Sequence, residues 1–114
     1  MERDLQSILD IVDSIQLIFE YLRSTTWENF ERDTKEQDAV IRRLTIIGEA
    51  TKRLSLEFRE QHPEVPWRKM AGLRDVIVHE YDDIQLGIIR QVVEVELPVV
   101  LQLLQPLLPM PPGN

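Results

Sequence analysis

Apolar side chains return along this chain at intervals of three and four residues, the period of a helix buried on one face. Leu5, Ile8, Val12, Ile15, Phe19 and Leu22 alternate the two spacings, with Asp10, Asp13 and Glu20 on flanking positions, and predict an amphipathic helix from Glu2 to about Arg23. In a short chain such a heptad-like seam faces either its own core or a second copy. Thr25-Thr26-Trp27-Glu28 carries a capping residue three before a Glu, and predicts a short helix with Trp27 and Phe30 turned inward. The capping pattern returns in Asp33-Thr34-Lys35-Glu36-Gln37. Val40, Ile41, Leu44, Ile47, Thr51, Leu54 and Phe58 then predict a second long helix reaching about Glu60.

Pro63 and Pro66 must end that helix, because proline restricts both itself and the residue before it. Pro66-Trp67 opens a further helix with Trp67, Met70 and Leu73 inward, and Gly72 can bend it. Asp82-Asp83 caps a last long helix whose predicted inner face is Ile84, Ile88, Val92, Val95, Val99 and Leu103. Pro98 lies inside it and should kink or divide it. Gly48, within the second long helix, marks either a close approach of another backbone or a tolerated weak point. No strand alternation is long enough for a sheet. The predicted fold is all-α: an antiparallel bundle of three long helices and one or two short ones over residues 1–105, with a Pro-rich tail over 106–114 that should fray.

Length and composition narrow the possibilities. A chain of 114 residues is one domain, and without cysteine it has neither disulfides nor a Cys-based zinc site. His62, read as a solvated loop residue, and His79 show no metal-ligand spacing. The chain starts Met-Glu-Arg-Asp with no apolar signal region, and nothing approaches the roughly 18 apolar residues of a membrane span, so a cytoplasmic location is expected. The net charge of -7 argues against coating nucleic acid by bulk attraction. That charge is uneven. Residues 42–90 hold nine basic against eight acidic groups, so an anion is best tolerated there, and Arg42, Arg43, Lys52 and Arg53 are either solvated surface or phosphate contacts.

The candidate chemistry lies in Arg74-Asp75-Val76-Ile77-Val78-His79-Glu80-Tyr81. No glycine-rich phosphate loop, no nucleophile beside a histidine and no metal-ligand motif competes with it. If the stretch is helical, Arg74 and Tyr81 fall about 20° apart on the wheel, whereas His79 lies about 140° from Arg74. Asp75, four residues before His79, can reach the imidazole and favour its protonated form. One permanent cation and one histidine suit RNA cleavage by the neighbouring 2′-hydroxyl, which needs a base, an acid and positive charge at the phosphate. A single histidine cannot serve as base and acid on the same phosphate at once. A second copy would supply the other, which predicts a homodimer with a shared cleft.

The motif Arg-x-x-x-x-His-x-Tyr resembles that of the HepT-like toxins of the HEPN superfamily, the RNase partners in HepT/MntA toxin-antitoxin modules. The likeness extends to Ile47-Gly48-Glu49-Ala50, Pro63-Glu64-Val65-Pro66-Trp67, Gly72-Leu73-Arg74-Asp75, Val78-His79-Glu80-Tyr81 and Leu97-Pro98. The resemblance implies an all-helical HEPN-like homodimer and a metal-independent endoribonuclease acting on tRNA or mRNA, with Arg74 and His79 as catalytic pair and no cofactor of its own. It also implies a minimal nucleotidyltransferase antitoxin of the MntA type that uses ATP and magnesium to transfer AMP to Tyr81. Asn is commoner in the family where this chain has Asp75, an anion that could orient His79 or repel RNA. A reading of a different class is a non-catalytic helical partner that binds and regulates a nucleotidyltransferase.

Overall fold

A computed structural model of the chain describes residues 2–77 and 84–109. Two long helices, α1 (Glu2–Leu22) and α3 (Thr34–Arg53), form the centre of the core. Ile8, Ile11, Ile15 and Ile18 of α1 meet Val40, Leu44, Ile47 and Ala50 of α3, all fully buried. The buried stripe on α1 is therefore wider than its predicted seam: Ile11 and Ile18 join it, while Leu5, Phe19 and Leu22 lie at its half-buried margin. Thr51 can share the apolar face of α3 because its hydroxyl donates to the Ile47 carbonyl at 2.7 Å.

Asp33 is the predicted cap, whereas the short helix is capped by Thr26, one residue after the Thr25 that stands three before Glu28. Asp33 accepts from the Glu36 N–H at the start of α3, and Thr26 accepts from the Asn29 N–H at the start of the one-turn α2 (Trp27–Phe30). Phe30 is buried as predicted, whereas Trp27 is only half-buried.

The second long helix ends earlier than predicted. Leu54 is extended, and Ser55 caps a separate α4 (Leu56–Gln61) by accepting from the Phe58 N–H. The cause lies far away in sequence. Asp4, only 4% exposed, receives the Ser55 N–H and the Ser55 hydroxyl, each at 2.8 Å. The Ser55 N–H, followed by its hydroxyl, holds this carboxyl below its usual range. His62 is not the free loop histidine expected: its ring packs on Phe58, centroid to centroid 4.7 Å, and its carbonyl accepts from the Trp67 indole at 2.9 Å.

Helices α5 (Trp67–Ala71) and α6 (Leu73–Ile77) come next, offset at Gly72, and both pack on α3. After them come α7 (Leu86–Gln91), a π-helical stretch (Val92–Glu96) and α8 (Leu97–Leu104), which run on from one another as the third long element. Pro98 has no N–H to donate and its ring crowds the preceding turn, and the ladder widens just ahead of it, where the Leu97 N–H reaches the Val92 carbonyl. One extra residue in the ladder rotates the downstream side chains by about 100°. The predicted inner face is accordingly lost beyond Val92. Val95 and Val99 are about half exposed, and Val93, Leu97, Val100 and Leu104 take their place in the core.

The protein is mostly helical, with four short helices among the described residues where one or two were predicted. The chain past Leu104 continues as a 3-10 turn (Gln105–Leu107), and Leu107 and Leu108 lie against the core, so the first part of the tail is packed. Among the described residues no helix is long and apolar enough to cross a membrane.

Candidate functional site

The faces of α3 have different uses. Its apolar face holds α1; a polar face, with Thr45, Gly48, Glu49 and Lys52 at helical spacings, forms one wall of a cleft. Gly48 sets the width of that cleft. A side chain built there would stand 3.2 Å from the Ala71 carbonyl oxygen and 3.4 Å from that of Met70, so the end of α5 rests directly on the backbone of α3. Of the two readings of Gly48, the close approach is the one found. The chain then turns at Gly72 into α6, which brings Arg74 and Asp75 to the opposite wall.

The cleft encloses about 660 Å³ and is lined by three cations, Lys52, Arg53 and Arg74, and two carboxylates, Glu49 and Asp75. In a chain of net charge -7 this is a local reversal of sign. Arg53 is engaged with Asp10 of α1 at 3.3 Å. Among the described residues Lys52 and Arg74 have no ion-pair partner, and both are exposed.

Of the residues predicted for the site, the structure brings Arg74 and Asp75 into this cleft; His79 and Tyr81 lie outside the described residues. So do the proposed contact between Asp75 and His79 and the shared face of Arg74 and Tyr81; the expected Asp82-Asp83 cap is corrected, because the third long element begins only at Leu86, with Gln85 in its N-cap position. The backbone on either side of that segment is joined, since the Gln85 N–H donates to the Ile77 carbonyl at 2.8 Å. Sequence reasoning missed Thr45 and Glu49 as cleft residues, although their spacing with Lys52 marks one helix face. Among the described residues no group of three or more His, Asp or Glu side chains is placed to share a metal ion.

A second polar cluster joins α2 to the π-helical stretch. The Trp27 indole donates to Glu94 at 2.9 Å, Arg90 bridges Glu94 at 3.1 Å, and the Arg90 guanidinium stands over the Trp27 ring, 5.5 Å from its centroid. The Trp27 hydrogen bond, then Arg90, lowers the Glu94 pKa. Each charge of this cluster has its partner within it.

Compared with known families, residues 11–107 match the model of the ribonuclease HepT-like family, a span that includes both walls of the cleft and the Arg74–Tyr81 stretch. The chain belongs to the ribonuclease HepT-like family. Among relatives, a protein named "Probable ribonuclease HepT" from Thermococcus cleftensis is 43% identical over 89 residues, covering 78% of this chain and 81% of that protein. From Methanocaldococcus jannaschii, a protein named "Gamma-glutamylcyclotransferase and putative RNase" is 41% identical over 99 residues, 86% of this chain, and the chain spans 45% of its length. No solved structure matches the chain. Within this HepT-like chain the resemblance stated from the motif and the family match agree, and the cationic cleft contains the arginine of that motif.

Proposed function

We propose that this HepT-like chain is the ribonuclease toxin of a toxin-antitoxin module, acting in the cytoplasm on tRNA or mRNA as a homodimer. The observation that carries the reading is the cleft itself, where Arg74 stands exposed and unpaired among the described residues beside a second cation. In this reaction the 2′-oxygen of one nucleotide forms a bond to the adjacent phosphorus while the bond from phosphorus to the 5′-oxygen breaks. A base takes the 2′-hydroxyl proton, an acid gives a proton to the leaving oxygen, and the products end in a 2′,3′-cyclic phosphate and a 5′-hydroxyl. Arg74 stabilises the negative charge gathering on the phosphoryl oxygens. His79 performs one proton transfer and His79 of a second copy the other, each returning to its starting form after the cyclic phosphate is hydrolysed or released. Asp75 orients His79.

The off-switch in this reading is AMP transfer to Tyr81 by a nucleotidyltransferase antitoxin, which binds the ATP and magnesium. The added phosphodiester brings negative charge close in sequence to Arg74, where it competes with substrate phosphate. Expression without the antitoxin is expected to arrest growth, and His79→Ala to relieve the arrest; equal toxicity of the two forms would sink the assignment. A second reading, a non-catalytic partner of the nucleotidyltransferase, draws on Glu49 and Asp75, two carboxylates in the wall of a cleft meant for phosphate. Purified native chain that leaves RNA intact, with Tyr81 modified or not, would favour it.

A further inference from the structure

The cleft extends beyond Arg74. On α3 the wall runs from Thr45 through Glu49 to Lys52 in successive turns, roughly 5 Å apart along the helix axis, and Gly48 adds no side chain to it. The charge along this wall is graded. Thr45 spends its hydroxyl proton on the Ile41 carbonyl at 2.9 Å, Glu49 is an exposed anion, and Lys52 is an exposed cation with no ion-pair partner among the described residues. The neighbouring cations have other attachments: Arg53 is turned to Asp10, and Lys69 of α5 stands 3.7 Å from Glu96. Lys52 and Arg74, on opposite walls, thus form a two-point cationic site within one cleft.

We propose that Lys52 is a substrate-binding residue that holds an RNA phosphate next to the one engaged by Arg74, so that the strand crosses the cleft at the Lys52 end and away from Glu49. The proposal rests on the ribonuclease reading and adds to it a residue outside the Arg/His motif. A lysine in the last turn of α3 also complements the helix dipole. That role alone would alter stability and leave RNA binding untouched, which separates the two uses.

The test uses the chain carrying His79→Ala, which on the ribonuclease reading is expected to bind RNA without cutting it, and a fluorescently labelled single-stranded RNA followed by anisotropy over a series of salt concentrations. Adding Lys52→Ala is expected to weaken binding about five- to tenfold and to reduce the slope of log affinity against log salt by about 0.7, the loss of one phosphate contact. Lys52→Arg is expected to keep both. Arg32→Ala, which removes an exposed pair with Glu28 just before α3, at the opposite end of the helix from Lys52, is expected to change binding less than twofold. In the cleavage-competent chain Lys52→Ala should raise KM and leave kcat nearly unchanged. Unchanged affinity and salt slope in Lys52→Ala, with native chain still cleaving RNA, overturns the proposal and leaves the ribonuclease reading standing. Equal weakening by Arg32→Ala overturns it as well, since binding is then diffuse. Native chain that neither binds nor cleaves RNA removes the ribonuclease reading and this proposal together.

Discussion

Two polar clusters on this molecule contain similar residues and are built to opposite ends. Around Trp27, one arginine and one glutamate satisfy each other and the indole, and the result ties α2 to the π-helical stretch ahead of Pro98. In the cleft between α3 and α6, Lys52 and Arg74 line two walls without ion-pair partners among the described residues, although Glu49 and Asp75 line the same space. Exposed pairs such as Arg90 with Glu94 contribute little to stability individually, so the first cluster is best understood as orientation of a helix turn. Apart from the favourable charge that Lys52 places at the end of α3, the unpaired cations of the second are not tied into the fold, and that leaves them available for an anion. What distinguishes the two regions is whether the protein has already supplied the counter-charge.

The largest effect should come from removing the cleft's arginine. Arg74→Ala is expected to lower RNA cleavage roughly 100- to 1,000-fold, the scale of losing a principal charge stabiliser, with little change in Tm because the side chain is exposed. A matching fall in Tm would place Arg74 with the structural cluster instead. Next is the geometry that brings the walls together. Gly48→Val puts branched carbon where even a Cβ meets the Ala71 carbonyl at 3.2 Å, and should cost about 1–3 kcal/mol in denaturant unfolding together with most of the activity.

A part-buried counterpart of the paired cluster exists where exposed Ser55 meets buried Asp4. Ser55→Ala removes both the cap of α4 and a hydrogen bond to a buried carboxylate, and should cost about 1–2 kcal/mol in the same unfolding measurement while the cleft residues are untouched. The pH dependence has a definite sign. Because the folded-state pKa of Asp4 is lowered, its contribution is complete above the ordinary carboxyl value of 3.8 and is lost as pH falls below it. Acid unfolding of Asp4→Asn should accordingly be less steep below that pH than that of the native chain. The smallest effect is expected from Glu94→Gln, a slight fall in Tm with RNA cleavage unchanged; a large loss of cleavage would show that the Trp27 cluster is coupled to the site after all.

These contrasts are unevenly legible in the sequence. The paired long helices and the Asp33 cap follow from local pattern, because hydrophobic period and capping act within a few residues. The break at Leu54-Ser55 does not, since the partner that demands it, Asp4, is distant in the chain. Periodicity places the third helix but not its inner face, because the wider turn before Pro98 advances the phase and a count on an ideal helix cannot register it. For the site, Arg74 and Asp75 stand out by motif, and Gly48 by its cost in a helix. Lys52 reads as either solvated surface or a phosphate contact, and the choice waits on Gly48, which admits α5 and turns a stretch of α3 surface into a wall of the cleft that Arg74 also lines.

Whether RNA is cut in the cationic cleft is decided by incubating purified native chain and its Arg74→Ala and His79→Ala variants with labelled single-stranded RNA and identifying the product ends. Fragments ending in 2′,3′-cyclic phosphate from the native chain, with loss of roughly 100-fold or more in each variant, are the expected result. Intact RNA with the native chain, or equal cleavage by all three proteins, would contradict cleavage in this cleft.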